Sequence, residues 1–234
     1  MKIDVYLRHQ DVNSQDLENC NVVVIDVLRA TSVIATALYN GALSVQTVAE
    51  VHQAFAIQKQ NADVLLAGER NTVKVAGFHF GNSPLEMIPV AVKGRKLVMS
   101  TSNGSKAVAV AELAKSLRTV AFVNMNAVVS DLLELNEDFV IICSGTNGNF
   151  SLDDGLAAGM LINRIQAKKE VEINDSGLAM SLIIKDESML TTNLKDCYHL
   201  KLLQKRNFQE DIDYCLSTDI IDVVPKFMNG KFVL

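Results

Sequence analysis

Four polar clusters in this chain, each at the end of an apolar run, hold the side-chain types that metal-assisted anion chemistry uses. The runs read VVVIDVLRATS from residue 22, VLLAGERN from 64, KLVMSTSNGSKAV from 96 and FVIICSGTNGNFSLDDGLAAG from 139. Their acids suit a hard divalent ion, since Mg²⁺ binds carboxylate oxygens. Their arginines and small-residue turns suit phosphate-like anions, which accept hydrogen bonds from guanidinium and backbone N–H groups. The clusters indicate a metal-dependent enzyme with a small anionic substrate.

The elements that must position these clusters are strands of a parallel sheet. A continuous apolar run followed by helical periodicity is typical of strand–helix units whose sheet is covered on both faces. Parallel strands end at one edge, where open α/β sheets bind ligands, so we expect the four clusters to converge there. Because no linker or low-complexity segment interrupts the chain, residues 1–234 are predicted to form a single α/β domain.

Composition and charge argue against several classes of protein. The net charge of −5 disfavours non-specific nucleic-acid binding, which needs a concentrated basic surface. No apolar run reaches the roughly 20 residues that cross a bilayer, and the first residues lack a secretory apolar segment, so we expect a cytoplasmic protein that does not contact membranes. The cysteines lack CxxC spacing, which argues against a zinc site and a disulfide framework.

Asp26 closes the first apolar run, and Arg29, Thr31 and Ser32 follow it directly. A carboxylate at a strand end beside a helix N-terminus is placed to bind a divalent ion, while the helix N–H groups face an anion. The competing interpretation makes Asp26 a helix cap and Arg29 a surface cation. The sequence leaves both interpretations open.

Two later turns supply further hydrogen-bond donors for an anion. The segment from Ser100 to Lys106 lacks the GxxxxGK[ST] spacing of a nucleotide-binding loop, but it opens a helix with hydroxyl groups and Gly104. The second turn follows Cys143. A cysteine phosphatase needs an arginine where Gly148 stands, so we interpret Cys143 as a core residue.

Further acids and bases complete the candidate set. Asp153 and Asp154 open a predicted helix, where they either balance the helix dipole or bind a metal ion. Glu69 and Arg70 form an adjacent acid–base pair at the end of the second run. Of the histidines, His79 is expected to lie nearest the site, first as a loop residue and second as a proton donor.

Several structural expectations concern the rest of the chain. Residues 106–117 are predicted to be helical, and residues 192–214 to form one or two amphipathic helices without site residues. Ser83 and Glu86 form a capping box that starts a short helix after the long loop 68–82. Asn229-Gly230 predicts a β-hairpin, and Pro225 is expected to confine its strand to a sheet edge.

Taken in order, the motifs IDVLRATS, AGERN, GFHFGNSP, STSNGS and CSGTNGNFSLDDGLAAG resemble those of the 2-phosphosulfolactate phosphatase (ComB) family. The likeness covers essentially the whole chain. It implies a three-layer α/β/α fold with a mostly parallel central sheet and a Mg²⁺ cofactor. It also implies hydrolysis of 2-phospho-3-sulfolactate to 3-sulfolactate and phosphate, a reaction of coenzyme M biosynthesis. Two positions depart from the expected pattern, because His79 stands in place of an acid and Asp153 in place of a glutamate.

Roles are predicted for the residues of these motifs. Asp26, Arg29 and Glu69 are assigned to catalysis. Asp26, Glu69 and Asp154 are assigned to Mg²⁺, directly or through water. The predicted substrate-binding residues are Arg29, Thr31, Ser32, Arg70, Asn82, Ser83, Thr101, Ser102, Asn103, Gly104, Gly145 and Thr146.

Two alternatives stay open at this stage. Asp26 acts either as a nucleophile that forms a phosphoaspartate or beside a water molecule activated by a base. A non-catalytic module that binds a small phosphorylated or sulfonated anion would show no metal-stimulated turnover. The oligomeric state is not fixed by the sequence, and a homo-oligomer is among the expected forms.

Overall fold

A computed structural model describes residues 1–234, in which strands and helices alternate along most of the chain. The strands are β1 (Lys2–Tyr6), β2 (Asn21–Ile25), β3 (Ser44–Thr47), β4 (Leu65–Arg70), β5 (Val73–Lys74), β6 (Lys96–Ser100), β7 (Ser116–Val120), β8 (Phe139–Cys143), β9 (Glu172–Ile173), β10 (Lys226–Met228) and β11 (Lys231–Val233). The helices are α1 (Ala30–Tyr39), α2 (Val51–Gln60), α3 (Pro89–Val92), α4 (Gly104–Val110), α5 (Met125–Leu135), α6 (Leu152–Gln166), α7 (Asp175–Ile183), α8 (Leu190–Leu194), α9 (Tyr198–Lys205) and α10 (Gln209–Leu216). None of these helices is long and apolar enough to cross a membrane.

Two groups of parallel strands make up most of the sheet. β4, β6 and β3 form one group, and β7, β2, β8, β1 and β9 form the other. The hairpin β10–β11 lies between them, antiparallel to β7 and to β3. The prediction that Pro225 confines its strand to an edge is therefore wrong. Pro225 precedes β10 and removes no donor from that strand, while its carbonyl accepts a hydrogen bond from Thr119 N at 3.3 Å.

The carboxyl ends of the two strand groups meet, although the groups run in opposite senses along the ladder. Three antiparallel pairings in succession cause that reversal. The usual strand twist of about 20–25° per strand would turn the two groups by roughly 100–125° over the five steps from β6 to β2. Asn147 N, after β8, donates to Asn103 Oδ1, after β6, at 3.1 Å. The polar clusters converge as predicted, but not along one flat edge.

Helices cover both faces of the sheet, which confirms the three-layer α/β/α prediction. Along β2, Val22 and Val24 join a buried cluster that includes residues of α1 and α4, while Val23 and Ile25 join one that includes residues of α5 and α6. All four side chains are fully buried. A strand buried on both faces explains why this part of the sequence is an unbroken apolar run.

Two predicted boundaries differ from the structure, because β4 continues to Arg70 inside the predicted loop 68–82 and the helix predicted for residues 106–117 is shorter. Helix α4 ends at Val110, and Leu117, predicted to be helical, lies in β7 with Val22 of β2 as its ladder partner. Burial in the sheet overrides the local helix propensity there. Ser83 starts a short 3₁₀ helix as predicted, since Leu85 N donates to Ser83 Oγ at 3.2 Å, but the predicted capping box is not formed, because Glu86 Oε2 accepts from Gly81 N at 2.6 Å.

Candidate active site

A cavity of about 400 Å³ opens where the carboxyl ends of β2, β4, β6 and β8 meet. Eight predicted site residues line it: Asp26, Arg29, Glu69, Asn82, Thr101, Ser102, Asn103 and Thr146. Seven do not: Thr31, Ser32, Arg70, Ser83, Gly104, Gly145 and Asp154. The contacts of these seven place most of them behind the cavity wall, where they hold the lining residues in position.

Asp26 fits both interpretations that the sequence left open, because it is a helix cap and also a residue of the cavity. Its Oδ1 accepts a hydrogen bond from Ala30 N at 3.1 Å, so it caps α1, yet the side chain also lines the cavity. Burial raises the pKa of Asp26, and the charge of His199 opposes that shift. Gly104 makes room for the carboxylate, because a Cβ there would lie 2.6 Å from Asp26 Oδ2 and 2.5 Å from Ala30 Cβ.

Arg29 is buried and is held by an ion pair and an aromatic ring. Its Nη1 forms an ion pair with Asp211 of α10. The second oxygen of Asp211 accepts a hydrogen bond from Ser83 Oγ at 2.7 Å, and the ring centroid of Phe208 lies 4.0 Å from the Arg29 guanidinium carbon. Arg29 is therefore a fixed cation at the cavity wall, and Ser83 acts on it through Asp211.

Glu69 and Arg70 hold the loops that frame the cavity. Glu69 Oε1 accepts from Ser102 N at 2.8 Å, and Oε2 accepts from Thr72 N at 2.7 Å. Arg70 donates to the carbonyls of Glu69 and Ala49, at 2.7 and 2.9 Å. Both side chains tie β4 to neighbouring segments, and their predicted roles on the metal ion and the substrate stay predictions.

The hydroxyl groups of Thr31 and Ser32 bond to the turn that precedes α1. Thr31 Oγ1 donates to Asp26 O at 2.9 Å, and Ser32 Oγ donates to Val27 O at 2.8 Å. Both residues are buried. They fix the turn that carries Asp26 and Arg29, and their direct contact with substrate stays a prediction.

Asp154 joins the end of β2 to the end of β8. Its Oδ1 accepts from Val27 N at 3.0 Å, and its Oδ2 accepts from Gly145 N at 3.1 Å. Burial raises the pKa of Asp154 well above its ordinary value, and the charges of Asp153 and Asp26 raise it further. Its hydrogen bonds explain a structural role for Asp154, while its metal role stays a prediction.

His199 lines the cavity beside Asp153, and the sequence analysis missed it. Its Nδ1 lies 3.2 Å from Asp153 Oδ2 and 3.3 Å from Thr146 Oγ1, which leaves Nε2 for a ligand. Burial disfavours the imidazolium, but the Asp153 carboxylate, with that of Asp26, raises the pKa of His199. Burial also opposes ionisation of Asp153, yet the charge and hydrogen bond of His199 lower its pKa. Each group favours the charged form of the other.

The prediction that residues 192–214 hold no site residues is wrong. His199 and Arg206 line the cavity, and Asp211 binds Arg29. Helical spacing indicated this pair, because His199 in α9 and Arg206, the residue that caps the end of α9, are seven residues apart and lie on the same side. His79, expected to lie nearest the site, does not line the cavity, while its first interpretation as a loop residue is confirmed, since its Nδ1 accepts from Leu66 N at 2.9 Å.

Comparisons with known proteins cover the whole chain. The profile of the 2-phosphosulpholactate phosphatase family matches residues 6–230. The chain belongs to the 2-phosphosulfolactate phosphatase family. A protein of Clostridium novyi named probable 2-phosphosulfolactate phosphatase is 40% identical, over 99% of both chains. One of the same name from Caldanaerobacter subterraneus is 42% identical, over 98% of this chain and 97% of the relative.

Mg²⁺, the cofactor expected for this family, suits the oxygen donors of the cavity. Asp26 and Asn82 both line it, and Asn82 Oδ1 is buried without a hydrogen-bond partner. No three His, Cys, Asp or Glu side chains are grouped to hold a metal ion by themselves. Since protein Mg²⁺ sites usually combine one or two carboxylates with waters and substrate phosphate, the residues fit an ion of that kind and not an all-protein cage.

A thiol mechanism has no support in this member of the family. Cys143 is fully buried, and burial raises the pKa of its thiol well above the ordinary value. The charges of Asp154 and Asp153 raise it further. A nucleophilic cysteine needs the opposite shift, toward the thiolate. The interpretation of Cys143 as a core residue is confirmed.

Proposed function

We propose that this protein is a Mg²⁺-dependent phosphatase that hydrolyses 2-phospho-3-sulfolactate to 3-sulfolactate and phosphate. The observation that carries the proposal is the convergence of Asp26, Arg29 and His199 on one cavity, in a chain that the family profile matches almost from end to end. The names of the relatives supply the substrate. A place in coenzyme M biosynthesis stays a prediction.

Arg29 is the main phosphate-binding residue in this proposal. Its Nη1 is bound by Asp211, so the remaining guanidinium N–H groups are available to the phosphoryl oxygens. Because the ion pair and the Phe208 ring fix the guanidinium before the substrate arrives, little reorganisation is needed as charge develops in the transition state. Thr101 and Ser102 line the same cavity and add neutral polar groups.

Asp26 acts at the reacting phosphorus. A bound Mg²⁺ would be held by Asp26 and Asn82 and would offset the negative charge of the phosphoryl group. Asp26 either attacks the phosphorus or orients the attacking water, and both routes give the same products. Glu69 lines the cavity with its oxygens bound to backbone N–H groups, which suits a contact through water.

His199 supplies the proton that the leaving ester oxygen requires. Asp153 holds Nδ1, so the proton at Nε2 is the one that can pass to the ester oxygen as the P–O bond breaks. The Asp153 carboxylate raises the pKa of His199 and so favours the protonated imidazole that a general acid requires. This assignment gives the buried Asp153–His199 pair a function beyond folding.

The proposal is tested by measuring inorganic phosphate released from 2-phospho-3-sulfolactate with Mg²⁺, after exhaustive chelation, and after Mg²⁺ is added back. We expect turnover that chelation abolishes and Mg²⁺ restores. Cys143→Ala is the control, and it should behave like wild type. An intact protein that binds the substrate but releases no phosphate under any of these conditions would be an anion-binding module and not an enzyme.

A further inference from the structure

A second hollow of about 220 Å³ lies beside the active-site cavity. We call it the basic annexe and define it by six of its lining residues: His9, Gln10, Arg70, Asn103, Lys106 and Asn147. Arg70 and Lys106 carry positive charge and no Asp or Glu lines the annexe, while burial lowers the pKa of His9 and disfavours its charged form. The chain as a whole carries a net charge of −5, so this is a local concentration of positive charge on an acidic protein.

The two cations Arg70 and Lys106 of the annexe have no carboxylate partner, unlike Arg29 and His199 of the main cavity. Arg29 and His199 are paired with Asp211 and Asp153. Arg70 instead donates to backbone carbonyls, and Lys106 is exposed on α4 and takes part in none of the ion pairs of the chain. The annexe therefore keeps its positive charge for a ligand.

The amide groups of the annexe present donors as well. Asn103 Oδ1 accepts from Asn147 N at 3.1 Å, which fixes the amide so that Nδ2 is its free end. His9 lies at the base of the annexe with Nδ1 2.7 Å from Ser144 O, so Nδ1 donates and the ring is held in place. Cations combined with fixed N–H donors form a site for an oxyanion.

The annexe and the main cavity share one wall. Asn71, Ser102, Asn103 and Asn147 line both. The annexe and the main cavity are therefore adjacent.

We propose that the annexe binds the sulfonate group of the substrate, with Lys106 as the residue that selects for it. This inference rests on the proposed function, because the phosphate of the same molecule must lie in the main cavity. A sulfonate is a tetrahedral oxyanion with three oxygens, enough to contact Lys106, Arg70 and the Asn103 amide together. Inorganic sulfate and phosphate are also tetrahedral oxyanions, so the experiment must distinguish binding of the sulfonate group of the substrate from binding of a free anion.

The test compares 2-phospho-3-sulfolactate with 2-phospholactate, which lacks the sulfonate, in wild type, Lys106→Gln and Lys106→Arg. We expect Lys106→Gln to raise KM for the sulfonated ester about tenfold, the low end for one charge-assisted hydrogen bond, and to leave 2-phospholactate unchanged. Lys106→Arg should retain most of the wild-type preference. Lys59→Gln changes another exposed lysine, far along the chain in α2, and should have no effect on either ester.

An equal rise in KM for both esters would mean that Lys106 contacts the phosphate. An unchanged KM for both esters would mean that the annexe does not contribute to substrate binding. Either result would overturn the proposal. Titration calorimetry measures the affinity for inorganic sulfate and for 3-sulfolactate, and this measurement does not require turnover. If Lys106→Gln weakens sulfate binding but not 3-sulfolactate binding, the annexe is a free-anion site and the proposal is wrong. If wild type hydrolyses neither ester yet binds 3-sulfolactate more tightly than Lys106→Gln does, the proposed function fails while the sulfonate site stands.

Discussion

Arg29 and Asp211 form a buried ion pair between residues 182 positions apart in the chain. Their side chains are 2% and 6% exposed. The pair joins the turn that carries Asp26 to α10, so the C-terminal helices are part of the active site and not a separate appendage. The geometry of the cavity therefore depends on contacts between the N-terminal and C-terminal parts of the chain.

Asp211→Ala should destabilise the protein and impair catalysis together. Removing one partner leaves Arg29 buried without a counter-charge, which costs about 3–5 kcal/mol of the free energy of unfolding. Urea unfolding measures that loss, and kcat/KM measured on the folded fraction should fall because Arg29 is no longer held. Asp213→Ala changes an exposed acid of the same helix and is the matched control. Wild-type stability and turnover in Asp211→Ala would show that the pair supports neither.

The strands and the polar clusters were predictable because they are local features of the sequence. A parallel strand buried on both faces is an unbroken apolar run, as at residues 22–26, and the polar residues that follow mark its end. The three-layer architecture follows from such units. The sequence therefore predicts that Asp26, Glu69 and Thr146 lie near one another, and all three line the cavity.

The rest depends on contacts between distant parts of the chain. Nothing local to Pro225 shows that the terminal hairpin inserts between two groups of strands. The periodicity of α9 shows which residues share a face but not what that face contacts, so His199 and Arg206 were missed. Glu69 and Arg70 were correctly placed near the site, but their hydrogen bonds to the backbone could not be read from residue type.

His199→Gln should lower kcat on 2-phospho-3-sulfolactate by about 10²–10⁴-fold, the usual contribution of a general acid. The loss should be much smaller on 4-nitrophenyl phosphate, because its leaving group needs little protonation. Steady-state kinetics on both esters measure the difference. A loss of the same size on both would assign His199 to phosphate binding or to structure instead of proton donation.

The Asp153–His199 pair should stabilise the fold within a limited pH window. The pKa of His199 is raised, so its contribution is complete below the ordinary value of 6.5 and disappears as pH rises through the raised value. The pKa of Asp153 is lowered, so its contribution is complete above 3.8 and disappears as pH falls through the lowered value. The difference in unfolding free energy between wild type and His199→Gln should be largest between those limits. A difference that does not change with pH would contradict this account.

Arg206→Ala should weaken substrate binding without affecting folding. Arg206 is exposed, forms no ion pair and lines the cavity, so its charge is available to an anionic substrate. We expect KM to rise about tenfold with little change in kcat, as for the loss of one exposed charge-assisted contact. Lys205→Ala removes a neighbouring charge that does not line the cavity and should have little effect. Unchanged KM in Arg206→Ala would remove Arg206 from the site.

The most direct test of the account is phosphate release from 2-phospho-3-sulfolactate by wild type and by Asp26→Asn, each with saturating Mg²⁺. Burial raises the pKa of Asp26, so a neutral amide should be tolerated there and the variant should stay folded. We predict wild-type turnover and a loss of several orders of magnitude in Asp26→Asn, with an unchanged unfolding midpoint. Turnover by Asp26→Asn close to that of wild type would mean that Asp26 is only a helix cap, and that the cavity is not the active site described here.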